Sequence, residues 1–403
     1  MLVGLGACKQ RGPSLRTPAR QSQPKQLVRV LLLNDAGACT LRFSSSFDVA
    51  AGTADGAPGG RKEHFENNGR PIEIAMLGQT ITIDARTIEA DEIEISPAAA
   101  SVFNLNGDNY RGTLRLIVND DGNSFDVINL LGVESYLAGV VGAEMPSYWE
   151  PEALKAQAIA ARTYCLYIKK RFGSGRSWDL SKTQAHQVYR GVDAESAQIW
   201  SAVNQTKGNV LVCKDGDGVE GIFPAYYSST CGGHTENSKH VFGDSFASLA
   251  GVPCPYCAGV ARPKFYFWPV AGFDAEEVGE KLRRKYPKLK QLGQITDIAA
   301  AEQTDYGTYR RLTKIKLSGS TGKSDFLRAE DLRLTVDPSG RRLRSTICEI
   351  SKSGNKWVFS FGRGFGHGVG MCQCGAQSMA RRGSSAEKIL DHYYPGSRIS
   401  EVY

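Results

Sequence analysis

Residues 152–172 read EALKAQAIAARTYCLYIKKRF, a run of helix-forming residues that contains neither glycine nor proline. Pro151 stands directly before the run, where proline suits the first turn of a helix. The cations Lys169, Lys170 and Arg171 stand at the other end, where they interact favourably with the helix dipole. The sequence therefore predicts one long helix, around which the rest of the chain is organised.

A glutamate precedes this helix in the segment Ala143-Glu144-Met145-Pro146. Because Pro146 disfavours helical structure, we expect Glu144 to lie on a loop at the mouth of the helix. Lys155 and Arg162 are seven residues apart and so share a helical face, directed toward Glu144 or toward a substrate anion. The plainer alternative is an acidic residue at a helix N-terminus with solvated basic residues behind it.

Short apolar runs separated by polar turns dominate the residues before Glu144, as in LVRVLLL at 27–33. Together with the long helix they predict an α+β fold, with a β-rich N-terminal region, a mixed domain whose long helix follows the EMP motif, and an inserted α+β subdomain. The predicted boundaries are a leader and tether at 1–26, a β-rich domain at 27–125, the core at 126–264, the inserted subdomain at 265–350, and the C-terminal part of the core at 351–403.

The ten cysteines are too few and too irregularly spaced for a disulfide framework in a chain of 403 residues. Cys231 and His234 form a CxxH pair, and Cys254 and Cys257 form a CxxC pair. Paired ligands of this kind suit a tetrahedral structural zinc, so we predict that these four residues bind one ion. Free thiols with a loop histidine, or a single disulfide, are the alternatives.

The third motif is glycine-rich and spans residues 362–377, GRGFGHGVGMCQCGAQ. Its glycines indicate that the backbone lies close to a ligand or to another loop. The motif lacks the GK[ST] ending of a phosphate-binding loop. Cys372 and Cys374 either join the metal site or pack as small apolar residues, and we favour packing.

The charge balance is mild: 49 basic and 42 acidic residues give a net charge of +7. This suits a solvated basic surface or attraction to an anionic polymer, wall or membrane face. Without an arginine-rich tail, a zinc-finger pair or an RNP-type signature, the sequence predicts no nucleic-acid partner. No apolar stretch reaches the 18 residues needed to span a bilayer.

The first eight residues, MLVGLGAC, resemble a bacterial lipobox, in which a cysteine is lipidated after signal cleavage. The apolar region before Cys8 is too short for a secretory signal. Either translation starts upstream and Cys8 carries a lipid that anchors the protein to a membrane, or Cys8 is an ordinary cysteine at the start of the tether.

In this order the motifs resemble the stage II sporulation protein D (SpoIID/LytB) family. The matching segments are VESYLAGVVGAEMP, EALKAQAIAARTY, SSTCGGHTEN and GRGFGHGVGMCQCGA. The resemblance implies an extracytoplasmic protein of the periplasm or cell envelope that acts on peptidoglycan glycan strands. Family members studied as enzymes are lytic transglycosylases, which leave 1,6-anhydro-N-acetylmuramic acid ends on strands stripped of stem peptides.

The resemblance implies that Glu144 is the catalytic acid/base and Arg162 an active-site partner. A protonated Glu144 needs a raised pKa, which a close arginine would oppose, so we expect Arg162 to bind substrate instead. Lys155, Ser229, His367 and Gln373 are the further candidate substrate-binding residues, and His234 is also a candidate for the groove.

Two other functions remain open. A non-catalytic wall-binding modifier that stimulates an N-acetylmuramoyl-L-alanine amidase is the main alternative, because a fold can retain such residues for packing. A zinc-dependent hydrolase is the third, although four protein ligands leave no open position on the metal.

Overall fold

The computed structural model describes residues 26–52, 62–67, 69–98, 102–173, 175–214, 216 and 218–403. Cys8 and the tether from residue 9 to residue 25 lie outside the described residues. None of the described helices is long and apolar enough to cross a membrane.

Strands dominate the part of the chain before Glu144. They are β1 (Leu27–Ala36), β2 (Ala38–Phe43), β3 (Phe47–Gly52), β4 (Lys62–Phe65), β5 (Ile72–Leu77), β6 (Thr80–Ile83), β7 (Arg86–Ile88), β8 (Glu92–Pro97), β9 (Phe103–Leu105), β10 (Asp108–Tyr110), β11 (Thr113–Val118) and β12 (Phe125–Gly132). In β11, Leu114 and Leu116 are fully buried while Arg115 between them is not, the alternation expected of a strand with one face on the core.

The central part carries the helices. Its elements are α1 (Val133–Glu144), α2 (Pro151–Phe172), β13 (Leu180–Ser181), α3 (Ala197–Gln205), β14 (Asn209–Lys214), β15 (Glu220–Ile222), β16 (Tyr227–Ser228), α4 (Ser238–Val241) and α5 (Pro263–Tyr266). Helix α2 is the predicted long helix, and most of its residues are buried, so it lies inside the domain.

The inserted region has its own hydrophobic core, built between Trp268 and Phe359. It contains β17 (Phe267–Trp268), β18 (Ala271–Asp274), α6 (Ala275–Lys285), β19 (Ile295–Asp305), β20 (Arg310–Gly319), β21 (Ser324–Arg328), α7 (Ala329–Val336), β22 (Ile347–Ser353) and β23 (Lys356–Arg363). The chain then ends with β24 (Met371–Cys372), α8 (Gln373–Arg381), α9 (Ala386–Tyr393) and β25 (Arg398–Glu401).

The N-terminal region is built on two mostly antiparallel sheets. Their strand orders are β13-β1-β12-β11-β8-β3-β4 and β10-β9-β2-β5-β6-β7. The smaller sheets run β15-β14-β25, β16-β24, β19-β20-β21 and β17-β23-β18, with β22 also paired to β23. The predicted α+β class is confirmed. The β16-β24 pair is parallel and joins Ser228 to Cys372, so it brings the second and third sequence motifs together.

Helix α1 shows that the predicted loop at Glu144 was wrong, because Glu144 is the last residue of a helix. Its glycines allow close packing against a neighbouring segment. A Cβ at Gly142 would lie 1.9 Å from the carbonyl oxygen of Ala194, and one at Gly139 would lie 2.5 Å from the ring of Tyr189. The helix therefore depends on tertiary contacts that outweigh the poor helix propensity of glycine.

Candidate functional site

The carboxylate of Glu144 is half-buried and accepts two hydrogen bonds. Its Oε1 accepts from the backbone N–H of Val188 at 3.1 Å, and its Oε2 accepts from Nε2 of Gln373 at 3.2 Å. Burial raises the pKa of Glu144, while Gln373, Val188 and Arg190 each act to lower it. Glu144 thus stays protonated to higher pH than an exposed glutamate would. The N–H groups of Val188 and Gln373 stabilise its ionised form.

The segment that packs on α1 supplies one of these donors. Arg190 donates its backbone N–H to the carbonyl of Gly139 at 3.3 Å, and the Val188 N–H lies two residues earlier. The close approach that Gly139 and Gly142 permit is therefore what brings Val188 to the carboxylate of Glu144.

Gln373 begins α8 and is held from two sides. Its Nε2 donates to Glu144 and also lies 3.5 Å from Oε1 of Gln157, a fully buried residue of α2. Since both neighbours are acceptors, the amide of Gln373 must present its nitrogen to them. Gln373, predicted to lie in the groove, is therefore beside Glu144. Its contact with substrate stays a prediction.

A tyrosine near Glu144 was missed as a site residue. The hydroxyl of Tyr227 accepts from Nε2 of Gln187 at 2.8 Å, and Gln187 in turn accepts from Tyr136 at 3.1 Å. Burial, with Glu144 as the next cause, raises the pKa of Tyr227 well above its usual value, so its proton is retained. The AYYSST segment was visible in the sequence, but nothing in its spacing linked Tyr227 to Glu144.

Arg162 does not have the predicted role of a substrate-binding partner. Its side chain is 0% exposed and forms a two-pronged ion pair with Glu134, at 3.0 Å through Nε and 2.6 Å through Nη2. The guanidinium also donates to the carbonyls of Asn209 and Val203. With the side chain buried and its groups occupied, Arg162 joins α1, α2, α3 and β14 and has no surface on which to bind a sugar.

Lys155 also points elsewhere. Its Nζ pairs with Oε1 of Glu152 at 2.7 Å, one turn earlier on α2, and it lines a surface cleft of about 270 Å³ with Trp149 and Gln198. Glu144 does not line this cleft. No hydrogen bond or ion pair joins Lys155 to Glu144 among the described contacts, and the predicted contact of Lys155 with substrate remains a prediction.

His367 orders the glycine-rich loop. Its Nδ1 accepts the backbone N–H of Val369 at 3.0 Å, so Nε2 carries the hydrogen that is donated to the carbonyl of Tyr227 at 2.9 Å. Burial lowers the pKa of His367 to about 4 and keeps the ring neutral. Both nitrogens are engaged by the backbone, which gives His367 a structural role in place of the predicted substrate contact.

Ser229 is partly exposed and lies next to Gln373. Its carbonyl accepts the backbone N–H of Cys374 at 3.0 Å. Its predicted contact with substrate remains a prediction.

Four buried cysteines form a group that could hold a metal ion: Cys231, Cys254, Cys257 and Cys372. Their sulfur atoms all lie within 4.8 Å of one another, and those of Cys231 and Cys257 are 3.8 Å apart. Tetrahedral zinc with Zn–S bonds of about 2.3 Å needs sulfurs about 3.8 Å apart, so the residues fit such an ion. The backbone N–H of Cys231 donates to the sulfur of Cys372 at 3.3 Å, a contact that suits a thiolate.

This group corrects one predicted ligand. His234 lies outside it, because its Nδ1 is 2.6 Å from the carbonyl of Thr235 and its ring stacks on Tyr306 at 4.3 Å. Cys372, which we expected to pack as a small apolar residue, takes its place. The parallel β16-β24 pairing accounts for the exchange, since it brings Cys372 beside the loop that holds Cys231.

The inserted region is tied to this site by Arg311 of β20. Its Nη2 donates to the carbonyl of Cys231 at 2.7 Å and its Nη1 to that of His367 at 3.4 Å. A Cβ at Gly368 would lie 2.6 Å from the same guanidinium, so only glycine fits there. Arg311 therefore fixes the cysteine loop and the glycine-rich loop relative to each other.

Comparison with known proteins identifies the family. Residues 121–213 match the family described as Stage II sporulation protein, and residues 258–370 match a domain of unknown function, DUF8618. An uncharacterized protein of Brachyspira hyodysenteriae is 33% identical over 297 residues, which is 74% of each chain. Stage II sporulation protein D of Bacillus subtilis is 30% identical over 284 residues, covering 67% of this chain and 75% of the relative. The amidase enhancer of Bacillus subtilis is 28% identical over 373 residues, 84% of this chain but 51% of that protein. The chain therefore belongs to the stage II sporulation protein D family.

Proposed function

We propose that the protein is an extracytoplasmic lytic transglycosylase that cleaves peptidoglycan glycan strands, with Glu144 as its acid/base. The observation that carries the proposal is the environment of Glu144, whose raised pKa comes from burial and whose two oxygens face N–H donors. The family membership supports a role at the cell wall.

The chemistry follows from this environment. Protonated Glu144 donates its proton to the glycosidic oxygen as the bond between that oxygen and the muramic C1 breaks. The amide of Gln373 and the backbone N–H of Val188 stabilise the resulting carboxylate. That carboxylate then takes the proton of the muramic C6 hydroxyl as its oxygen bonds to C1, which regenerates the acid and leaves a 1,6-anhydro ring.

This reaction requires one carboxyl group, because the substrate supplies its own nucleophile. Arg190 is the charged neighbour that shifts the pKa of Glu144. The two hydrogen-bond partners of Glu144 are uncharged, the backbone amide of Val188 and the side-chain amide of Gln373. The other glutamate of α1, Glu134, is engaged by Arg162 and by the hydroxyl of Tyr403. The arrangement suits one acid/base better than the carboxylate pair of an ordinary glycosidase.

The test is incubation of wild type and Glu144→Gln with peptide-stripped glycan strands, with the products read by mass spectrometry. Glu387→Gln, an exposed change of the same kind on α9, is the matched control. We expect anhydro-ended saccharides from wild type and from the control but not from Glu144→Gln. Equal product from all three proteins would remove Glu144 from the mechanism.

A second function has its own support in the 28% identity to the amidase enhancer. If none of the three proteins releases anhydro products but wild type binds strands and accelerates an N-acetylmuramoyl-L-alanine amidase, the protein is a wall-binding modifier. Attachment to a membrane through a lipid on Cys8 belongs to either proposal, and mass spectrometry of the mature N-terminus tests it.

We also propose that the four-cysteine group binds a structural zinc ion. Four thiolates complete a tetrahedral shell, so the ion would supply a cross-link between the loops and no open position for substrate. Metal analysis of purified Cys372→Ser and His234→Ala provides the test. Zinc lost from the first and retained by the second is the expected result, and the reverse pattern would restore the ligand set predicted from the sequence.

A further inference from the structure

Exposed aromatic rings cluster where the inserted region meets the glycine-rich loop. Phe361 is 78% exposed and Phe267 is 61% exposed, on the paired strands β23 and β17. Phe265, two residues before Phe267, and Phe365, four residues after Phe361, are partly exposed, and their ring centroids are 5.5 Å apart. Exposed rings grouped in this way are unusual on a protein surface and indicate a binding site.

The backbone at Phe361 supports that view. Its φ is +53°, a left-handed conformation that is unfavourable for a bulky side chain. The next residue is fixed by packing, because a Cβ at Gly362 would lie 2.0 Å from the buried ring of Trp268. The strand therefore keeps a strained residue whose ring is directed into solvent, as found at functional sites.

Cations surround these rings. The guanidinium of Arg344 lies over Phe265 at 5.2 Å and Phe365 at 5.8 Å, and its Nε donates to the carbonyl of Arg341 at 2.9 Å. Lys264 lies over Phe265 at 5.6 Å, and Arg262 stands three residues before Phe265 in the sequence. Within the described part of the chain, no ion pair joins a carboxylate to Arg262, Lys264, Arg341 or Arg344.

Carboxylates close to these cations in the sequence are engaged by other groups, as Glu330 is by Arg333 at 2.6 Å. Asp337 accepts from the backbone N–H groups of Arg342 and Leu343, which engages it internally. Glu349 of β22 lies opposite Ser360 of the neighbouring strand β23. The surface as a whole is thus suited to a ligand that combines negative charge with apolar faces.

The glycine-rich segment links this surface to the site around Glu144. Phe365 exchanges both backbone hydrogen bonds with Thr230, at 2.7 and 3.0 Å, and Gly366 donates to the carbonyl of Arg344 at 2.8 Å. The neighbouring Ser229 carbonyl accepts from Cys374, next to the Gln373 that contacts Glu144. The segment that carries Phe365 therefore also carries the amide that contacts Glu144.

We propose that this aromatic–arginine surface, formed by Phe265, Phe267, Phe361, Phe365, Arg341 and Arg344, binds a peptide-stripped glycan strand beyond the cleavage site. The inference rests on the proposed function, which names the same polymer. Each muramic acid freed of its peptide exposes a lactyl carboxylate, which arginine binds well. The apolar faces of the sugar rings stack on the phenylalanines, so both features of the surface are used.

The test measures strand affinity in a Glu144→Gln background, where no cleavage occurs. Arg341→Gln/Arg344→Gln removes the charge, and Phe361→Asn removes a ring while keeping a residue that tolerates positive φ. Lys281→Gln/Arg284→Gln on α6 is the matched charge control in the same region. The ligands are peptide-stripped strands and chitooligosaccharides of equal length, which lack the carboxylates.

We expect the double arginine variant to bind stripped strands about tenfold more weakly, the loss expected from a charge-assisted contact, and chitooligosaccharides unchanged. Phe361→Asn should weaken both ligands, and the control neither. Unchanged strand binding in both surface variants would overturn the proposal. So would variants that lose affinity only for phosphatidylglycerol vesicles, since the surface would then bind a membrane.

The outcome is separable from that of the proposed function. With Glu144 intact, wild type that releases anhydro products while the surface variants bind normally would sink the surface and keep the enzyme. Wild type that releases none while the variants lose strand binding would keep the surface and sink the enzyme.

Discussion

Replacing Arg162 with alanine separates a structural role from a catalytic one. The ion pair that it forms with Glu134 has one partner 0% exposed and the other 17% exposed, with two further hydrogen bonds to backbone carbonyls. Breaking a buried pair on one side leaves an uncompensated charge, which costs about 3–5 kcal/mol. We therefore expect Arg162→Ala to lower the free energy of unfolding by about that amount.

The measurement is urea denaturation followed by circular dichroism, with strand cleavage measured per folded molecule. Lys155→Ala is the matched control on the same helix, and its partly exposed pair with Glu152 contributes about 0–1 kcal/mol. A double change, Glu134→Gln/Arg162→Met, removes both charges and should recover part of the loss.

If the role of Arg162 is structural, Arg162→Ala unfolds at a lower urea concentration than wild type. The decrease in strand cleavage then equals the fraction of the protein that is unfolded. A variant that unfolds at the same urea concentration as wild type but cleaves no strands would refute the reasoning. Arg162 would then reach substrate in a conformation different from the one described.

Three further predictions concern residues around the site. Gln373→Leu removes a donor that lowers the pKa of Glu144, so the alkaline limb of the pH–rate profile should move to higher pH; a limb that stays in place contradicts the hydrogen bond. His367 has a folded pKa of about 4, below its ordinary value, so its contribution to stability is present above about pH 6.5 and is lost as pH falls toward 4. Urea titrations of wild type and His367→Gln across that range should converge at low pH, and parallel curves would contradict the argument. Gly142→Ala places a Cβ 1.9 Å from the carbonyl of Ala194 and should destabilise the protein by about 1–3 kcal/mol, with an unchanged urea midpoint as the opposing result.

Local pattern predicted α2 and failed for α1, for a physical reason. Helix α2 has strong helix formers, a proline at its first position and cations at its end, so its signals are all local. Helix α1 contains Gly139 and Gly142, which weaken an isolated helix. Their presence is explained by the close contacts of the helix with Tyr189 and Ala194. A sequence read without those partners therefore assigns Glu144 to a loop.

The same distinction applies to the site residues. The motif made Glu144 a candidate, but Arg162 and Lys155 were assigned to one helical face, and the sequence could not show their ion-pair partners. The metal prediction favoured His234 because it is three residues from Cys231. Cys372 is 141 residues from Cys231 and joins it only through the pairing of β16 with β24.

Cys372 and Gln373 are adjacent, and they connect the four-cysteine group to Glu144. The sulfur of Cys372 faces the other cysteines, while the amide of Gln373 reaches Glu144. An ion held by the cysteines would fix the start of α8 and, with it, the direction of the Gln373 amide. Removing that ion would then slow the reaction although no reacting group is lost. Loss of activity on chelation is therefore expected of a lytic transglycosylase with this architecture and does not identify a zinc hydrolase. The products of the zinc-loaded protein separate the two, because a hydrolase adds water to the bond it breaks, whereas a lytic transglycosylase leaves a 1,6-anhydro end.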